Sequence, residues 1–364
     1  MTTCTLSDLP TDILLLLTEY LHNIEDFTNL SSTCKTLQTC LEHTSSRTIL
    51  RLAAVQSKVF FRPSPLFLVA ATAHELGNWA RQTDNNEASL SNAAQQGIDG
   101  LMELALDHCG LTMERIRDLH SMRFDLINPA TDIIDKCVGH QWYATPNFWN
   151  GGVDDAYTIA AEPDATLFHL IIYGELFAPD LEVYLNQDKS TRRLSIATRL
   201  DFIRYCLPDF ASSPVVSDTA HPQTDNVDPR AFVKAIGPYA PDQNGRPQFP
   251  DQNNNLALTW VILSSRWKPH WKEIRSRAGA DFVDSGDIPH GWRYNSRERS
   301  MDLQQHQQRL WENVMICQGF RGLEMIRPEL RDAWVPQIRQ WREKIAAFDY
   351  IPLGIEIGKQ ATHE

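Results

Sequence analysis

Residues 9–41 decide the fold. They read Leu9-Pro10-Thr11-Asp12-Ile13-Leu14-Leu15-Leu16-Leu17-Thr18-Glu19-Tyr20-Leu21, continue as His22-Asn23-Ile24-Glu25-Asp26-Phe27-Thr28-Asn29-Leu30-Ser31-Ser32-Thr33-Cys34-Lys35-Thr36-Leu37, and end near Leu41. Pro10 suits the first turn of a helix, where its missing N–H costs nothing. Ser7 and Asp8 precede it as capping residues, and Asp12 complements the positive end of the helix dipole. Ile13, Leu16 and Tyr20 form one stripe at three-and-four spacing, and Leu14, Leu17 and Leu21 form a second beside it. A surface helix needs one apolar face. Two adjacent stripes predict burial on two sides, with a partner molecule as one way to cover the second.

The pattern then restarts. Asn23 is placed to cap a second helix with Glu25 and Asp26 in its first turn. Phe27, Leu30 and Cys34 follow at helical spacing, and Leu37 and Leu41 continue it. Three short helices in about forty residues bury little surface alone, because small units are marginal.

Working outward, the 364 residues suit a short module plus a larger region, and 42% apolar content is enough for a core. The net charge of −12 argues against general nucleic-acid binding and against an anionic membrane surface. The cysteines, at 4, 34, 40, 109, 137, 206 and 317, are scattered, odd in number and without a Cys-x-x-Cys. That pattern predicts free thiols in a reducing compartment, cytoplasmic or nuclear. The run Ile13–Leu17 is far too short to span a membrane, and no Lys or Arg precedes it as in a signal peptide.

Beyond residue 48 the periodicity stays helical. It predicts helices over 66–80, 88–108, from Thr112, from Asn128-Pro129 and over 194–207; the apolar run 167–177 fits a buried helix or a strand, and its length and the break at Pro179 favour the helix. Asn85-Asn86 marks a turn. Residues 211–256 are rich in Pro, Asp, Asn and Ser and read as loop. Further helical segments cover 256–271, 297–319 and 329–348, the last with Pro336 as a kink or break. Period-two alternation is nearly absent, and no repeat is visible. The fold class is therefore mainly α: a short module at 5–45, a helical region at 48–210, a loop-rich insert at 211–256, and a helical region at 257–350 belonging to the same larger domain. That larger domain is expected to fold without residues 1–44.

Chemical motifs are sparse. His74-Glu75-Leu76-Gly77-Asn78 starts like a zincin helix but has Asn where the second His is required. His108, Cys109, Cys137 and His140 lack a zinc-site spacing. Asp154-Asp155, after two glycines, reads as a solvated turn. No phosphate-binding loop, nucleotide glycine fingerprint or serine elbow occurs. No cofactor and no metal are expected. Two stretches are candidate contact surfaces. The first holds Trp142, Tyr143, Phe148 and Trp149, the residue types enriched at binding hot spots, which are also the types that plug a core beneath a loop. The second is the basic run Arg266 to Arg277, with Trp267, Lys268 and Arg275. It reads as a grip for an acidic peptide or as a solvated helix face.

The Leu9-Pro10 start, the aliphatic run to Tyr20-Leu21, the acidic turn and the Cys34-Lys35 finish together resemble the F-box, over roughly residues 6–45. Phe27, Thr33 and Leu37 depart from the residues most usual in that family without changing the spacing. The resemblance implies a three-helix module that binds the Skp adaptor and, through it, a cullin scaffold. Its module residues would be Leu9, Pro10, Ile13, Leu14, Leu17, Leu21, Phe27, Leu30 and Cys34. It implies a non-catalytic receptor subunit of a ubiquitin ligase, whose helical remainder captures an unknown protein substrate. The alternatives are an intracellular enzyme of unrecognised class built on residues 50–350, and an F-box protein acting outside a cullin ligase.

Overall fold

Thr11–Leu16 form α1, which tightens into a single 3-10 turn over Leu17–Tyr20. Pro10 is the residue before the helix, not its first residue, and caps it without a side-chain bond. Ser7 and Asp8, the expected caps, lie outside the described residues. In the computed structural model those are residues 6, 9–55, 65–128, 163–188, 190–206, 274, 276–279, 282, 303–316, 318–326 and 331–349.

Helix α2, Ile24–Ser31, starts as its sequence requires: the Asn23 side chain accepts from the Asp26 N–H at 2.9 Å. Asp26 returns the bond by accepting from the His22 N–H at 3.2 Å. One orphan donor of the helix start is satisfied by the first bond, and the second ties the preceding residue to the first turn. Helix α3, Lys35–Leu41, follows a break at Ser32–Cys34 and packs on both α1 and α2. Helix α4, Ser46–Ala54, is capped by Ser45, whose hydroxyl accepts from the Thr48 N–H.

The larger region begins with α5, Pro65–Ala80, and α6, Asp84–Gln95. Thr83 caps α6, so Asn85-Asn86 lies inside the first helical turn and is not the expected loop. The expected single helix over 88–108 is two, because Gly97 takes a φ of 80° and restarts the chain as α7, Gly97–His108. That left-handed conformation suits glycine. Helix α8, Met113–Met122, starts one residue after Thr112, which caps it, and runs into a π turn at Arg123–Ile127.

Helix α9, Pro163–Leu185, passes through Pro179 where a break was expected. Leu176, Phe177 and Leu181 around that point are buried, and Arg81 donates to the Leu176 carbonyl and to Asp180. Packing and these bonds offset the lost backbone donor. Then come α10, Ile196–Cys206; α11, Leu303–Ile316; the short α12, Gly319–Leu323; and α13, Arg331–Ala346, which is continuous through Pro336.

The protein is mainly α-helical, and the described residues contain no strand. Helix α5 is the hub: it packs on α9, α7 and α6. Helix α10 lies on α6, and α12 lies on α9. The core is continuous from Ile24, Phe27 and Leu41 through Ile49 and Leu50 to Trp311, Trp341 and Phe348. The buried face of α2 therefore belongs to the main core, across the boundary expected at residues 45–48. Leu14, Leu37 and Cys40 form a separate small core beneath α1. No helix of the described residues is long and apolar enough to cross a membrane.

Candidate protein-docking site

The two stripes of the N-terminal helix separate cleanly. Leu14 is buried, and Leu17 and Leu21 are half-buried against neighbouring helices. The outer stripe is open: Ile13 is 46% exposed, Leu16 48% and Tyr20 78%. Leu6 is also exposed. Within this chain the helix buries one of its two apolar stripes, and the other is open. The reason is geometric. Helix α3 approaches α1 from one side, with Leu37 and Cys40 beneath Leu14.

Three apolar side chains over about two helical turns, flanked by exposed Asp12 and Glu19, present unsatisfied hydrophobic area with an acidic rim. Such a face marks a binding surface more often than scattered exposed leucines do. The unit beneath is held firmly enough to present it. Thr18, itself buried, donates to the Leu15 carbonyl at 2.7 Å, and the Cys40 thiol lies 3.5 Å from the Thr11 carbonyl.

The nine expected module residues divide by role. Leu14 and Phe27 are buried core; Leu9, Leu17, Leu21, Leu30 and Cys34 are half-buried; Pro10 and Ile13 face outward. Only the last two, joined by Leu16 and Tyr20, offer themselves to a partner. The spacing of Leu16 and Tyr20 from Ile13 was the available signal for them. Trp142, Tyr143, Phe148, Trp149, Trp267, Lys268 and Arg275 all lie outside the described residues. Of the basic run, Ile274 is buried while Arg277 is exposed and pairs with Asp332.

Charged groups inside the larger region are mostly committed to structure. The Arg81 guanidinium meets Asp180 at 2.8 Å between α5 and α9, and Asp180 also accepts from the Leu194 N–H. Glu175, on α9, is 16% exposed; burial raises its pKa, partly offset by the Phe320 N–H, His74, Arg115 and Arg321. His74 Nδ1 lies 3.6 Å from its carboxylate. The Cys109 thiol is pushed up to about 12 by burial and by nearby Glu75, against a smaller lowering by Arg47. A thiol so held is almost wholly protonated near neutrality and is a poor nucleophile or metal ligand. Among the described residues no three His, Cys, Asp or Glu side chains converge as a metal site. Comparison of the chain with protein-family models, with curated proteins and with solved structures finds no match.

Proposed function

We propose that the chain is a substrate-receptor subunit of a Skp–cullin–F-box ubiquitin ligase. The observation that carries this reading is the open stripe Ile13, Leu16 and Tyr20 on a three-helix unit whose sequence, from Leu9-Pro10 to Cys34-Lys35, resembles the F-box. The stripe is apolar, contiguous and supported from beneath by its own small core, so it suits a permanent apolar partner surface. The adaptor takes that place, and a cullin joins through it.

The larger helical region then holds a target protein. The work of such a subunit is positioning: tethering raises the effective concentration of a target lysine near the activated ubiquitin. No side chain of this chain takes part in the transfer in that reading.

Co-purification tests it. The full chain should retain a Skp adaptor on a column, and Leu9→Ala with Pro10→Ala should abolish retention while the melting profile of the larger region stays unchanged. Retention that survives the double substitution at equal affinity would refute the assignment. A cullin in the same eluate separates a ligase subunit from an F-box protein that works without one.

A further inference from the structure

The C-terminal half of α13 and residues 276–279 enclose a surface cleft of about 330 Å³, lined by Ala278, Arg339, Arg342, Glu343 and Ala346. Its floor is apolar and its walls carry two guanidinium groups. Both are held in place. Arg339 Nη2 donates to the Arg277 carbonyl at 3.2 Å. Arg342 lies 4.9 Å above the centroid of the Phe282 ring, and its side chain runs against Gly279, where a Cβ would collide with it. Gly279 has a φ of +130°, so glycine is required there on two counts. Neither guanidinium meets a carboxylate among the described residues, whereas Arg277 beside them is paired with Asp332, and Lys344 lies 3.8 Å from Glu182.

We propose that this cleft docks one acidic side chain, an aspartate or glutamate, of a partner peptide. Arginine recognises a carboxylate with paired donors, and groups already fixed by a ring and a carbonyl lose less freedom on binding than free surface side chains. Glu343 on the same rim offsets one of the two positive charges, which leaves a net charge that matches one carboxylate. The chain as a whole carries −12, so an acidic peptide meets net long-range repulsion, and attraction has to come from local basic groups such as these two. The cleft volume is at the small end of ligand sites, at roughly 300–1,000 Å³, and takes a side chain with its flanking backbone, not a bulky cofactor.

The test uses the full chain and a fluorescein-labelled hexaglutamate peptide, with a hexalysine peptide as control, read by fluorescence anisotropy at low ionic strength. Hexaglutamate should bind and hexalysine should not, and added salt should weaken binding steeply. Arg339→Glu, at an exposed position, should lower affinity at least tenfold with an unchanged melt, and Arg342→Gln should lower it as well. Arg51→Glu, exposed on α4, should leave affinity unchanged. Absence of hexaglutamate binding, an unchanged affinity in Arg339→Glu, or an equal loss in Arg51→Glu overturns the proposal.

Discussion

The Glu175 carboxylate accepts a hydrogen bond from the Phe320 backbone N–H at 2.9 Å, which ties the start of α12 to the middle of α9. Gly319, with a φ of +63°, makes the approach possible, because a Cβ there would collide with the same carboxylate. The joint places an acid in a largely buried site, where burial outweighs the compensation from the Phe320 N–H, His74, Arg115 and Arg321.

That arrangement makes stability pH-dependent in a defined direction. Burial raises the Glu175 pKa above 4.5 in the folded chain, so folding favours the protonated form. The corresponding stabilisation is full below 4.5 and is lost as pH rises through the elevated value. Glu175→Gln should therefore flatten the change in melting temperature between mildly acid and neutral pH, relative to the unaltered chain. Identical pH profiles for the two proteins would contradict the assignment of this carboxyl as the source.

Glu87 works in the opposite sense. Burial raises its pKa, but bonds from the Ser195 N–H, Arg192, Thr198 and the Ser195 side chain outweigh that and leave it lowered. Its contribution is present above 4.5 and is lost as pH falls through the lowered value. Glu87→Ala removes the acceptor shared by the Ser195 N–H, the Arg192 guanidinium and the Thr198 hydroxyl and should cost about 1.5–3 kcal/mol in urea unfolding at neutral pH, in line with hydrogen bonds to charged groups. Asp84 also pairs with Arg192 but is 94% exposed, so Asp84→Ala should cost at most about 1 kcal/mol.

The two cores of the N-terminal helices should respond differently to truncation. Phe27 belongs to the main core, and Phe27→Ala should lower global stability by about 3–5 kcal/mol. Leu37 belongs to the small core under α1 with Leu14 and Cys40. Leu37→Ala should loosen α1 and α3 in hydrogen exchange and leave protection in α5 and α9 unchanged. Equal loss of protection throughout both regions would show that the small core is not separate.

Much of this was legible in the sequence. Asn23 caps the helix that its residue type announces, the helix expected from Thr112 starts there to within one residue, and helical periodicity marks the Leu14 stripe. What escaped were features set by distant partners. Pro179 does not break α9, because Arg81, some hundred residues earlier, supplies bonds at that turn. The polar run His306-Gln307-Gln308 looks like a solvated surface but is buried. There Gln307 donates to the Ile345 and Phe348 carbonyls at the end of α13, and Gln308 accepts from the Phe282 N–H. Which of two equivalent apolar stripes turns inward depends on where α3 lands, and periodicity carries no record of that. The cleft at Arg339 and Arg342 joins segments some sixty residues apart, and a one-dimensional pattern cannot bring them together.

The most direct measurement is the affinity of the full chain for a purified Skp adaptor, with and without Ile13→Asp and Leu16→Asp on the open stripe. Both side chains are exposed, so the fold should survive their replacement. Burying two such side chains in an interface is worth about 1.5–3 kcal/mol each. The expected result is a stable complex with the unaltered chain and a loss of at least about 100-fold in the double variant, at an unchanged melting temperature. No complex with the unaltered chain, or an equal affinity in the variant, would contradict adaptor docking through α1.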